Sequence, residues 1–273
     1  MKFKKQAIGV FDSGVGGLTV FKEIRKHFPN EDIVYFGDTA RVPYGPKSKN
    51  TVIDYSIQNA RFLMQQGVKM IVIACNTSSA VALDILRNMF DIPILGVIEP
   101  GARSAVANSQ HGRIGVIGTE GTIRSQAYSK AIQDINTNCN IFSIACPLFV
   151  SLAEEGWAEH PITHAIAEEY LKEFKDKGID TLVLGCTHYP ILKNVIQDVM
   201  GNEVCLVDSA VSILDDINDN LEDSCSQEKG KDYFFVSDNE DKFCKIAEDI
   251  LNIKDFTLAK VKLGETWYVD TKL

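Results

Sequence analysis

Gly67-Val68-Lys69-Met70-Ile71-Val72-Ile73-Ala74-Cys75-Asn76-Thr77 runs from a glycine through an apolar, β-prone segment to a cysteine followed by two polar residues. The pattern is written again 111 residues later, as Gly178-Ile179-Asp180-Thr181-Leu182-Val183-Leu184-Gly185-Cys186-Thr187-His188. The two stretches align without a gap. An apolar run of this length, bounded by turn signals, reads as a buried strand of a parallel sheet. Both cysteines then fall at strand carboxyl ends, where open α/β sheets take their ligands. A matched pair in such places predicts two thiols facing each other across a cleft.

Working outward, Arg113-Ile114-Gly115-Val116-Ile117-Gly118-Thr119-Glu120-Gly121-Thr122 echoes Ile8-Gly9-Val10-Phe11-Asp12-Ser13-Gly14 at an offset of 106. Two similar offsets at two places predict duplication of an α/β unit of roughly 100 residues. Between these landmarks, strand and helix patterns alternate with short links. A strand at 8–12 leads into a helix stopped by Pro29-Asn30, then a strand at 33–36 and a loop holding Pro43-Tyr44-Gly45-Pro46. Helical periodicity covers 50–66 and 78–90, and a short strand covers 92–97. The expected fold is two similar parallel-sheet α/β domains related by a pseudo-dyad, with the site in the cleft between them. Residues 1–98 and 209–273 form the expected first domain, and 99–208 the second. In the tail, Ile213, Leu214, Ile217 and Leu221 mark a helix face and 222–232 reads as the least ordered stretch. A strand at 233–237, a helix at 242–251 and a last strand near 258–263 then return to the first domain.

Composition narrows the class. The chain has 273 residues, 45% apolar and 24% charged, enough to bury a core. Its net charge of −9 argues against a nucleic-acid or membrane-surface partner. An anionic ligand must then be met by local donors. No apolar stretch approaches the roughly 20 residues that span a bilayer. The basic start lacks the apolar length and cleavage site of a signal peptide. The seven cysteines are odd in number, scattered and without a C-x-x-C pair, which fits free thiols in a reducing compartment, hence the cytoplasm.

The chemistry is expected at strand ends. Cys75 and Cys186 each stand at a strand-to-helix junction, a place that stabilises a thiolate. A thiolate on one face of a carbon and a thiol on the other take and return a proton from opposite sides, which inverts the centre without cofactor or metal. Cys139, Cys146, Cys205, Cys225 and Cys244 read as small hydrophobes. Asp12-Ser13-Gly14-Val15-Gly16-Gly17 is a strand–turn–helix where backbone N–H groups collect around an anion. It is not a dinucleotide fingerprint, because Thr19 stands where the third glycine would fall. Asp12 reads equally as a carboxylate facing a substrate ammonium or a thiol, and as a helix cap. Ser13, Asn76, Thr77, Thr119, Thr122 and Thr187 supply donors for carboxylates without arginine. His188, two residues after Cys186, reads as an acid/base group or as a charge acting on that thiol. Glu154-Glu155-Gly156 fits either a supporting group or a solvated helix face.

Taken together, Asp12-Ser13-Gly14-Val15-Gly16-Gly17, Pro43-Tyr44-Gly45, Ala74-Cys75-Asn76-Thr77, Gly185-Cys186-Thr187-His188-Tyr189-Pro190 and Val207-Asp208-Ser209 resemble the motifs of the bacterial glutamate racemases over nearly the whole chain. The resemblance implies a cofactor-independent enzyme that interconverts L- and D-glutamate, supplies D-glutamate for peptidoglycan and usually forms a homodimer. It implies that Cys75 takes the α-proton of D-glutamate and Cys186 that of L-glutamate. Substrate contacts fall to Asp12, Ser13, Tyr44, Gly45, Asn76, Thr77, Thr187 and His188. Asp12, Glu154 and His188 resemble the supporting acid/base groups, with Glu155 the alternative match to Glu154, and Thr119 joins the supporting set. Rival readings are a racemase of aspartate or another acidic amino acid, a one-cysteine hydrolase or isomerase, and a binding protein that closes on an anion without chemistry. No phosphate loop or lysine context suggests pyridoxal phosphate.

Overall fold

A computed structural model of the chain describes residues 6–221, 228–253, 256–262 and 268–269. Residues 222–227, within the loop expected to be least ordered, lie outside this set. Eleven strands divide between two sheets among the described residues. They are β1 (Ile8–Asp12), β2 (Ile33–Gly37), β3 (Met70–Ile73), β4 (Ile94–Gly96), β5 (Arg113–Gly118), β6 (Asn140–Ala145), β7 (Thr181–Gly185), β8 (Cys205–Asp208), β9 (Asp232–Val236), β10 (Leu258–Lys262) and β11 (Tyr268–Val269).

The first sheet has the order β11-β10-β9-β2-β1-β3-β4 and the second β6-β5-β7-β8. Every pairing is parallel except β10 with β11. The order β2-β1-β3-β4 is therefore repeated as β6-β5-β7-β8. Strands β3 and β7, which carry the two cysteine stretches, occupy equivalent places beside the central strands β1 and β5. The chain forms two parallel-sheet α/β domains. The tail adds strands outside β2, which is why the first sheet is the wider.

Alternation within the strands explains the burial. In β1, Ile8 and Val10 face one core with Tyr35 and Val72, while Phe11 faces another with Phe36 and Ile73. Both faces are covered by helices, so the strand reads as a continuous apolar run rather than as alternating polar and apolar residues. Burying each large side chain contributes roughly 1.5–3 kcal/mol. The second domain has its own core around Phe149, Phe174, Leu182, Leu184 and Tyr189.

Several boundaries differ from expectation by one or two residues. The helix expected from 78 begins at Asn76, directly after Cys75, and runs to Met89. The helix expected from 242 begins at Glu240, capped by Asn239, whose side chain accepts from the Lys242 N–H. The edge strand β6 is not expected from the sequence. Its burial is partial on both faces, so it carries no continuous apolar signal. After Cys186, the chain enters a single 3-10 turn, Tyr189–Leu192, before the α-helix Lys193–Met200. Pro190 has no N–H for a preceding helical turn, so the second cysteine stands at a turn and not at a helix start. Among the described residues, no helix is long and apolar enough to cross a membrane.

Candidate active site

The carboxyl ends of β1, β3, β5 and β7 meet between the two sheets. In each domain this is where connections leave the central strand in opposite directions, the crevice in which open sheets take their ligands. From the first domain come Ser13 after β1, the loop Val42–Gly45 after β2, and Cys75, Asn76 and Thr77 after β3. The second domain contributes Thr119 after β5, Val150, and Cys186, Thr187 and His188 after β7. These residues enclose one cavity of about 20 Å³. Both thiols line it, and each cysteine is buried, 4% and 6% exposed.

Hydrogen bonds sew the two domains together around this cavity. Thr77 Oγ1 lies 2.8 Å from Thr119 Oγ1 and 3.2 Å from Thr122 Oγ1. Thr187 Oγ1 donates to Asp12 Oδ1 at 3.3 Å, and Thr19 donates to the Thr187 carbonyl at 3.0 Å. Glycines permit the close approach: a Cβ on Gly16 would stand 2.5 Å from both Thr187 Oγ1 and His188 Nδ1. One on Gly45 would stand 2.7 Å from Thr119 Cβ.

Three expected residues, Asp12, Thr122 and Glu154, do not line the cavity. They act on residues that do. Asp12 is fully buried, and its second oxygen accepts the Gly14 N–H at 2.9 Å. Burial raises its pKa, and the His188 charge and the hydrogen bonds from Gly14, Gly17 and Thr187 oppose that shift. Glu154 stands behind His188, with Oε1 3.1 Å from Nε2, and its other oxygen takes Lys242 Nζ at 2.7 Å. It is Glu154, not Glu155, that makes this contact.

The two thiols have unlike surroundings. Cys186 Sγ lies 3.8 Å from His188 Nδ1. Burial disfavours a charged imidazole, but hydrogen bonds to Cys186 and Glu154, with the charges behind them, prevail and raise His188 to about 10. The same pairing lowers Glu154 to about 2, with Lys242 assisting, although burial pushes it the other way. Cys75 departs from expectation. Burial, reinforced by the Asp12 carboxylate, pushes its thiol up to about 11. Hydrogen bonds from Ser78 and Ser13 pull in the opposite direction without compensating. The helix start at Cys75 therefore does not make a low-pKa thiolate, because the site is dry and the nearest charge is negative.

Supporting residues that sequence reasoning missed lie one layer out. Tyr44 donates to Asp38, which also takes Ser237 at 2.9 Å and Arg41 Nε at 2.7 Å. Tyr128, from the second domain, donates to Asn76 Oδ1 at 2.7 Å. Lys242 reaches Glu154 from the helix Glu240–Leu251 on the first domain. None sits in a motif or repeats at a regular spacing, and only the assembled fold brings them close.

Residues 8–215 match the family described as Asp/Glu/Hydantoin racemase. The chain belongs to this racemase family. A curated glutamate racemase of Geobacter metallireducens is 53% identical over 253 residues, which cover 91% of this chain and 94% of that protein. The crystal structure of a glutamate racemase isoform from Bacillus anthracis superposes with a TM-score of 0.90 at 37% identity, covering 96% of this chain and 99% of that one. A Francisella tularensis glutamate racemase, solved in complex with D-glutamate, gives a TM-score of 0.88 at 40% identity, covering 97% and 100%. The racemase family's two-domain fold is thus shared across the full extent of these relatives.

Proposed function

We propose that this protein interconverts L- and D-glutamate by direct proton transfer between Cys75, Cys186 and the α-carbon, with no cofactor. The observation that carries the reading is that cysteines at equivalent ends of β3 and β7 line a single cavity. The glutamate named in the relatives supports this substrate over aspartate.

The unlike thiols set the direction in which the resting site is loaded. Cys186, 3.8 Å from His188 Nδ1, is the base: its sulfur takes the α-proton of L-glutamate as the C–H bond breaks. Cys75, a neutral thiol, gives its proton to the opposite face of the same carbon. D-Glutamate results, with Cys186 now protonated and Cys75 a thiolate, and the reverse reaction retraces the same steps. Ser13, Tyr44, Gly45, Asn76, Thr77 and Thr187 hold the carboxylates and the ammonium in place, while Asp12 and Thr119 buttress them from behind. A charged His188 offsets substrate charge in a cavity lined, among the described residues, by no arginine.

This reading includes a cytoplasmic homodimer that supplies D-glutamate to peptidoglycan. It also includes a division of the chain into 1–98 with 209–273 and 99–208. The packing of helix Ile98–Asn108 against the second domain's helix Ala127–Ile135 and strand β7 supports a boundary near 98.

The test is incubation of the purified protein with L-glutamate, and separately with L-aspartate, in D₂O. Circular dichroism follows inversion and proton NMR the α-hydrogen. Loss of ellipticity with glutamate, coupled to α-deuteration, is expected, and Cys75→Ala and Cys186→Ala each abolish it. Turnover with aspartate alone would change the substrate and keep the mechanism. Inversion retained in either cysteine variant would defeat the two-base mechanism.

A further inference from the structure

We propose that Tyr128 is a positioning residue that holds the Asn76 side-chain amide with its NH₂ turned into the cavity, ready to donate to a carboxylate of the bound amino acid. The inference rests on the racemase reading.

Asn76 lines the cavity and is only 2% exposed. Its two polar atoms are in unlike states. Oδ1 accepts from Tyr128 Oη at 2.7 Å, while Nδ2 is buried with no hydrogen-bond partner among the described residues. A buried amide donor left unmatched is costly, and such groups are rare unless a ligand completes them. Here the unmatched group belongs to a residue facing the place where the substrate sits.

The orientation of an asparagine amide must be read from its partners. A phenol can give or take a hydrogen bond, so Tyr128 alone would accept either amide orientation. The Ser209 side chain is a second hydrogen-bond partner of the Tyr128 hydroxyl, and with Ser209 donating to it the phenol proton goes to Asn76 Oδ1, the arrangement that the 2.7 Å contact records. Burial pushes the phenol well above its ordinary pKa, so the proton is present throughout the working range. Ser209 is itself placed by Asp208, which caps the short helix after β8 by accepting the Ala210 N–H at 2.8 Å. The Val207-Asp208-Ser209 motif thereby acquires a task.

The ring has no freedom to drift. Tyr128 is 2% exposed, and a Cβ on Gly101 or Gly185 would come within 3.1 Å of its ring carbons. Both glycines leave room for the aromatic plane between the helix Ile98–Asn108 and the end of β7. Tyr128 and Asn76 belong to different domains, so the amide is aimed only when the domains are together.

Tyr128→Phe keeps the ring and removes the hydroxyl. In the full-length protein, KM for both enantiomers is expected to rise about tenfold, the scale of one hydrogen bond to a charged ligand, while kcat changes less than about threefold. Asn76→Ala should raise KM similarly, and the double variant should lose little beyond either single one, because the residues act as a unit. Ser209→Ala should raise KM in the same direction by a smaller factor, and it serves if Tyr128→Phe does not fold. Unchanged KM, a loss confined to kcat, or losses that multiply in full in the double variant would overturn the assignment. Wild-type protein assayed alongside separates the cases. No exchange by wild type removes the racemase reading and this inference with it, whereas equal KM in wild type and Tyr128→Phe removes only the role of Tyr128.

Discussion

The hydroxyls of Thr77 and Thr119 lie 2.8 Å apart, and they belong to different domains. Thr77 is the second residue of the helix behind Cys75, and Thr119 caps the helix Glu120–Ser125 after β5 by accepting the Thr122 N–H. One contact therefore ties the backbone next to a thiol to the opposite wall of the site. Thr77→Val is expected to cost about 1 kcal/mol of stability, read as a shift in the urea midpoint. Thr119→Val should cost somewhat more, since it also removes a cap. The double variant should fall short of the sum; full additivity would mean that the two hydroxyls do not interact.

Glu154→Gln removes the charge of one of the two partners that raise His188, the other being Cys186. Because the equilibrium constant between enantiomers is one, kcat/KM must fall equally in both directions. A loss of about 10²-fold is expected, the low end for a group supporting proton transfer. The alkaline limb of the kcat/KM profile, set near 10 by His188, should move down but stay above 6.5, because Cys186 still faces the imidazole. An unmoved limb would show that another group controls it.

The same pair governs stability. Folding raises His188 from 6.5 to about 10, so the folded state holds that proton more tightly. Its contribution is complete below pH 6.5 and is lost as pH rises through about 10. Glu154 falls from 4.5 to about 2, so its contribution is complete above pH 4.5 and is lost as pH falls through about 2. The urea midpoint should carry the full effect of both groups between pH 4.5 and 6.5. Glu154→Gln should flatten both flanks, and a midpoint profile identical to wild type would sink this assignment.

Gly16→Ala places a methyl group 2.5 Å from Thr187 Oγ1 and His188 Nδ1. Overpacking of this kind costs about 1–3 kcal/mol, and here it also pushes His188 away from Cys186. Both melting temperature and kcat/KM are expected to drop. Gly67→Ala is the contrast. Its φ of +73° is strained for alanine but nothing lies within 4 Å, so stability should fall by about 1 kcal/mol with activity intact. Equal activity losses in the two variants would remove the seam from the explanation.

The repeat around Cys75 and Cys186 made the architecture legible because parallel strands buried on both faces leave continuous apolar runs, and two such runs ended alike. The matched strand orders around β1 and β5 follow from that duplication. Motif residues were legible where they follow a strand end directly, as Ser13, Asn76 and Thr187 do. Tyr128 and Lys242 act through contacts between distant segments, and no local pattern marks a side chain whose partner lies in another domain; Ser209 stood in a motif, but its partner did not show there. The Cys75 thiol shows a second blind spot. Helix position is written in the chain, but the burial and the buried Asp12 that overrule it belong to the assembled interior.

The cavity of about 20 Å³ has room for little more than a water molecule. An amino acid with two carboxylates is far bulkier, so it reaches the thiols only when the threonine and glycine seam parts. Gated loading is the expected consequence, checked by viscosity: a solution thickened with viscogen should slow capture of substrate before it slows the chemistry. Once the seam closes again, a proton lifted from carbon is shut away from bulk solvent with few places to go. Return to the carbon it left then competes with washout, and the label content of recovered substrate becomes a clock for how long the seam stays shut.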